Sequence, residues 1–165
     1  MSLRVEMNVE TDDWATIPDL SGLAERVVAA CQRISEVELR DGAEVSLLFA
    51  DDAAIRVLNA RWRQIDKPTN VLSFPGVGEA ETAMVLGDIA LAFETTQREA
   101  QAEGKTLADH TAHLIVHGFL HLLGFDHETD EEAEDMEAME RDILKSLGVP
   151  DPYAGTTPVN EAAIR

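Results

Sequence analysis

Cysteine is almost missing from this chain: Cys31 is the only one among 165 residues. An internal disulfide is therefore excluded, which fits a reducing compartment, and a cytoplasmic location is the expectation. A thiolate-rich structural metal site is disfavoured for the same reason. Long apolar runs are also missing. The longest, Leu114 to Phe125, contains His117 and His121 and is too short and too polar to span a bilayer, so no membrane partner is expected. The first residues, MSLRVEMNVETDDW, carry acids and no uninterrupted apolar stretch, and do not read as a signal peptide.

Basic charge is scarce as well. Thirteen Lys and Arg face 32 Asp and Glu, for a formal net charge of −19. That balance alone argues against a nucleic-acid partner, because phosphate binding draws on a basic surface. The distribution is uneven, however. Residues 53–78 carry Arg56, Arg61, Arg63 and Lys67 against one acid, Asp66, whereas 128–142 carry nine acids against Arg141. A local basic edge can therefore sit on an acidic body. The acidic run reads most simply as a solvated helix face.

What is present suits a globular protein: 45% of residues are hydrophobic and 27% charged. The length fits one domain, taken as residues 1–149, with a loose tail from Pro150 to Arg165. LRVEMNV (3–9) alternates and predicts a first strand, and AEVSLLF (43–49) a second. Leu20 to Ser35 and 51–63 have helical spacing. QIDKPTN is a turn, since Pro68 forbids continued helix. VLSF (71–74) is a short strand, with an edge position beside a cleft as one option. MVLGDIALAF (84–93) is apolar enough for a central strand, and Asp88 within it would need a partner if buried. TTQREAQAEG and 106–124 are helical, with Gly124 placed to end the second. Thr129 and Glu132 form a capping box for a last helix through Leu147. Strands mixed with helices give an α/β (α+β) fold with a single mixed sheet.

His110, His113, His117 and His121 follow one another at steps of three, four and four, so they form one stripe on the 106–124 helix. The other faces of that helix are apolar, which predicts a buried central helix. Imidazoles at i and i+4 are about 6 Å apart along the axis and can reach one ion. A turn at Gly124 can bring His127 to a third corner. Three protein ligands leave a fourth position for water, the mark of a catalytic zinc. All-imidazole ligation suits zinc, and would also accept nickel or copper. His113 can line the cleft and meet substrate, hold a carboxylate beside the ligands, or simply be packed. His110 reads as structural.

HGFLHLLGFDH (117–127) has the spacing of the H-E-x-x-H-x-x-G-x-x-H zinc site of metallopeptidases. Gly118 stands where those enzymes carry their general base. Phosphodiester cleavage relies more on cations, and an arginine just before DKPTNVLSFP can clamp a phosphate through its planar fork. A metal-assisted nuclease is chemically reasonable. A metallopeptidase or other zinc hydrolase with a base outside the motif, and a non-catalytic zinc-binding protein, stay open on the residues alone.

HGFLHLLGFDH, preceded by AHLIV, also resembles the signature of the YbeY family of bacterial endoribonucleases, H-G-x-L-H-L-x-G-[YF]-D-H. RWRQIDKPTNVLSFP, LGDIALA and EEAEDMEAMERDIL resemble further blocks of that family in the same order, over roughly residues 43–147. Trp62 and Phe125 stand where tyrosine is common. The resemblance implies a zincin-like fold and one zinc per chain held by His117, His121 and His127. It implies single-strand-specific RNA cleavage in 16S rRNA 3′-end maturation and ribosome quality control, with the small ribosomal subunit and its proteins as partners. It also implies that Arg63 is functionally important, and it makes a zinc-binding ribosome assembly factor the non-catalytic alternative. Lys67, in a turn, can touch phosphate or be a solvated turn residue. Asp126, beside His127, can orient an imidazole, share a proton with bound water, or simply form the turn.

Overall fold

The structure is a computed structural model and describes residues 3–154. Four strands form one sheet: β1 (Arg4–Val9), β2 (Glu44–Ala50), β3 (Val71–Pro75) and β4 (Val85–Ala92). Their order is β1-β2-β4-β3. β1, β2 and β4 run parallel, and β3 pairs antiparallel with β4. β4 is thus interior and β3 an edge strand, as their sequences suggest. Five α-helices accompany the sheet among the described residues: α1 (Leu20–Ser35), α2 (Asp52–Arg63), α3 (Phe93–Ala102), α4 (Leu107–Leu122) and α5 (Asp130–Ser146).

Alternation along the strands sends side chains to two faces. Val45, Leu47, Phe49, Val71, Ile89 and Leu91 face the main core, which they share with α1, α4 and α5. Leu72, Ala90 and Ala92 face the other way, into a smaller cluster with Ile55 of α2. Trp14 closes the end of the main core. It is fully buried, donates its indole N–H to the Ala50 carbonyl at 2.9 Å, and meets Phe49 and Phe93 edge-on.

Helix α2 covers only part of its face. An open groove of about 920 Å³ remains there, lined among others by Glu6, Ser46, Trp62, Phe74 and Asp88. Asp88 is consequently exposed and not in need of a buried partner.

Helix α4 packs against α1, α3, α5 and β3, so nearly every side of it is covered. It starts on Thr106, whose hydroxyl accepts from the Asp109 N–H at 3.0 Å. It ends in a reversal at Gly124, where φ is +101°. There the Gly124 N–H bonds the His121 carbonyl and the Phe125 N–H bonds the Leu120 carbonyl, both at 3.0 Å. This pair of bonds satisfies the last carbonyls of the helix and turns the chain back along it.

Candidate metal centre

The reversal at Gly124 carries His127 back to the end of α4. His117, His121 and His127 each offer a ring nitrogen, and the three nitrogens lie within 4.8 Å of one another. The Nε2 atoms of His117 and His121 are 3.2 Å apart. Two ligands on a tetrahedral ion at ~2.0–2.1 Å would stand about 3.3 Å apart. The observed spacing thus fits two corners of such a site. The rings of His117 and His127 are nearly parallel, at 28°, with centroids 5.7 Å apart.

His117 is oriented from behind. Its Nδ1 lies 2.6 Å from Oε2 of Glu140, a residue of α5 that is 0% exposed. A carboxylate there accepts the Nδ1–H and leaves the Nε2 lone pair facing its neighbours. Glu140 has two further partners. The Tyr153 hydroxyl donates to its Oε1, and His113 Nε2 stands 3.8 Å from its Oε2. Burial works to raise the Glu140 pKa, but His113 and His117 on its flank outweigh that and hold it well below the usual carboxylate range.

Burial is also the main reason His113 titrates below the ordinary 6.5, against the pull of Glu140. His121 is pushed down to about 4 by burial first and then by the neighbouring His117 and His127. Neutral imidazole is the form that binds a metal. The same shifts set a pH dependence. Between pH 6.5 and about 4 the unfolded chain takes up a proton at His121 that the folded chain refuses, and His113 acts in the same direction below pH 6.5. Stability is therefore complete above pH 6.5 and falls as the pH drops through that window. Urea unfolding in the presence of a chelator is expected to show a level midpoint above pH 6.5 that declines from there to about pH 4.

The other residues singled out from the sequence lie as follows. Asp126 turns its Oδ1 onto the N–H of His127 at 2.8 Å, so it shapes the turn that presents this ring. Its charge also works to raise the His121 pKa. Arg63, exposed at the end of α2, donates Nη2–H to the Ser73 carbonyl at 2.7 Å and lies over the Phe74 ring. The Ser73 hydroxyl in turn donates to the Gly118 carbonyl at 3.1 Å. Arg63 is thereby tied through the edge strand to the helix that carries the histidines. Lys67 is exposed in the turn after α2, where its carbonyl accepts from Asn59 Nδ2 at 2.9 Å. His113 is 1% exposed, so it lines no open cleft, and its Nε2 stands 3.8 Å from the Glu140 carboxylate. His110 is fully buried, with Nε2 2.8 Å from Glu99.

Two residues escaped the sequence reading. The acidic run 128–142 is not uniformly solvated, since Glu140 faces inward. Its signal was available: Ala133, Met136, Ile143 and Leu144 mark the buried stripe of α5, and Glu140 falls on it. Tyr153 lies in the segment read as a loose tail. Its start is held at several points, and residues 155–165 lie outside the described residues.

Comparison with known proteins gives the family of the chain. The sequence profile described as endoribonuclease YbeY matches residues 6–148. The chain belongs to this family. Among curated relatives, endoribonuclease YbeY of Methylocella silvestris is 51% identical over 149 residues, covering 90% of this chain and 85% of that protein. Endoribonuclease YbeY of Azorhizobium caulinodans is 51% identical over 154 residues, covering 92% and 97%. A protein of Thermotoga maritima solved in solution shares the fold, with a TM-score of 0.59 at 23% identity over 95% of this chain and 98% of its own. The sequence blocks that resemble the YbeY family are those that build the cluster: α4 and its turn carry the three histidines, α2 carries Arg63 beside β3, and α5 carries Glu140.

Proposed function

We propose that this member of the YbeY family holds one zinc ion between His117, His121 and His127 and cleaves single-stranded rRNA there. The protein is an endoribonuclease, a hydrolase of phosphodiester bonds acting in rRNA maturation. RNA is its substrate. The observation that carries the reading is the convergence of three ring nitrogens within 4.8 Å at the end of α4. The donor set fits zinc: three imidazoles, with no thiolate among them. When bound, the metal supplies a Lewis acid that stabilises charge developing on a phosphoryl oxygen.

The chain's own groups do the rest. Glu140 holds the His117 ring in the orientation and tautomer that ligation requires. Asp126 fixes the turn that delivers His127. Arg63 presents the remaining N–H groups of its guanidinium to a phosphate, with one already anchored on Ser73. Lys67 adds a second positive charge in the same basic segment. His113 supports the site through Glu140 and reaches substrate only indirectly. A net charge of −19 is a poor match for a polyanion. The ribosome itself supports the difference in this reading: proteins of the small subunit present the 3′ end of 16S rRNA, and the enzyme works in the cytoplasm. No helix among the described residues is long and apolar enough to cross a membrane.

The test is cleavage of a single-stranded rRNA 3′ fragment and of a matched duplex, with and without chelator. Cutting of the single strand alone, lost on chelation and restored by zinc, is the expected result. Arg63→Ala is expected to slow cutting by about 10²-fold while zinc content stays at one per chain. Equal cutting of duplex and single strand, or cutting indifferent to chelator, would refute the proposal.

A further inference from the structure

The segment after α5 is short, yet it is fastened to the back of the metal centre. Pro152 is buried. Asp151 pairs with Arg141 Nε at 3.4 Å, and its Oδ1 accepts from the Tyr153 N–H at 2.8 Å. The Tyr153 ring lies under the Arg141 guanidinium and stands edge-on to His113, with centroids 5.6 Å apart at 85°. These contacts aim the Tyr153 hydroxyl at Glu140, opposite the oxygen that faces His117. One carboxylate is thus gripped on one side by the C-terminal segment and on the other by a metal ligand.

We propose that Tyr153 is a positioning residue of the metal site, acting through Glu140 on His117, so that docking of residues 151–154 and metal occupancy strengthen each other. A carboxylate behind a ligating histidine works only if it is itself held, because its orientation sets that of the ring. Burial makes Glu140 dependent on its partners, since a buried charge with a free lone pair is costly. Without the tyrosine hydroxyl, Glu140 can rotate towards other donors, and His117 loses its fixed angle. Coupling between two binding events is reciprocal, so a segment that tightens metal binding must itself be tightened by the metal to the same degree.

The inference rests on the reading that the three histidines hold a metal, and its test keeps the two apart. The full chain and its Tyr153→Phe variant are titrated with zinc against a competing chelator, under conditions where circular dichroism shows both folded. Tyr153→Phe retains the ring against His113 and Arg141 and removes only the hydroxyl. Zinc affinity is expected to fall about tenfold. Cobalt substituted for zinc reports ligand geometry directly, and its visible absorption bands are expected to shift in the variant. By reciprocity, amide exchange at residues 151, 153 and 154 in the wild type is expected to slow about tenfold on saturation with zinc, and to change little in Tyr153→Phe. Arg141→Ala loosens the same segment without touching Glu140, and should weaken zinc binding about threefold. Unchanged affinity and unchanged cobalt bands in both variants would overturn the role of Tyr153. A wild-type chain that takes up no zinc would instead overturn the metal reading beneath it.

Discussion

His117→Ala is expected to stop RNA cleavage and to destabilise the metal-free protein at the same time. The first effect follows from losing a ligand, and cutting should fall by about 10³-fold or more. The second is peculiar to this histidine. Its ring is a close partner of Glu140, at 2.6 Å, inside a site where the carboxylate is 0% exposed. Removing one member of a buried pair leaves a charge short of a partner, at about 3–5 kcal/mol. Tyr153 still reaches Glu140, which places the expected loss at the lower end of that range. His127→Ala is the control. That ring is partly exposed and belongs to the turn after α4. It should abolish cleavage as fully while costing the metal-free fold less than about 1 kcal/mol. Urea unfolding of both variants in chelator measures the difference, and equal midpoints would show that Glu140 does not depend on His117.

Gly118→Glu, which would complete an H-E-x-x-H motif, is expected to yield unfolded protein and no peptidase. A side chain at this position points into the sheet. A Cβ on Gly118 would stand 2.8 Å from Ile89 Cγ2 and 3.0 Å from Ser73 Oγ. Ile89 is fully buried in the interior strand and cannot withdraw. Even alanine should cost about 1–3 kcal/mol through overpacking. Glutamate adds a charge forced into the core, and the sum approaches the entire stability of a domain this size, about 5–15 kcal/mol. Circular dichroism and size-exclusion chromatography of the purified variant give the answer. A folded Gly118→Glu protein that cuts peptides would overturn this account. The glycine therefore marks a close approach between α4 and the sheet, and the missing base reflects packing as well as chemistry.

Much of this was readable along the chain because the governing patterns are local. Strand alternation, the Thr106 and Thr129 caps and the reversal at Gly124 each depend on a few neighbouring residues. The three ligands are close in sequence, so helical geometry alone brings two of them together. Glu140 and Tyr153 were harder because their roles arise between elements. The acidic surroundings of Glu140 hid it, although its place on the apolar stripe of α5 was a usable sign. Nothing near Tyr153 in the sequence announces a partner on α5. Asp88 is a different case. Its strand is interior, as the apolar run suggests, but α2 stops short of covering that face, and the extent of a helix over a sheet is a long-range property. The link from Arg63 through Ser73 to Gly118 likewise exists only once β3 has taken the edge.

The compactness of the ligand set has a thermodynamic side. All three histidines fall between positions 117 and 127, so an ion held by them closes only short stretches of backbone. A denatured chain retains this cluster nearly intact as a weak chelating peptide. Affinity for the unfolded form subtracts from whatever a bound ion adds to the native one. Loading the site should therefore sharpen the local order of the catalytic end far more than it raises the melting temperature of the whole.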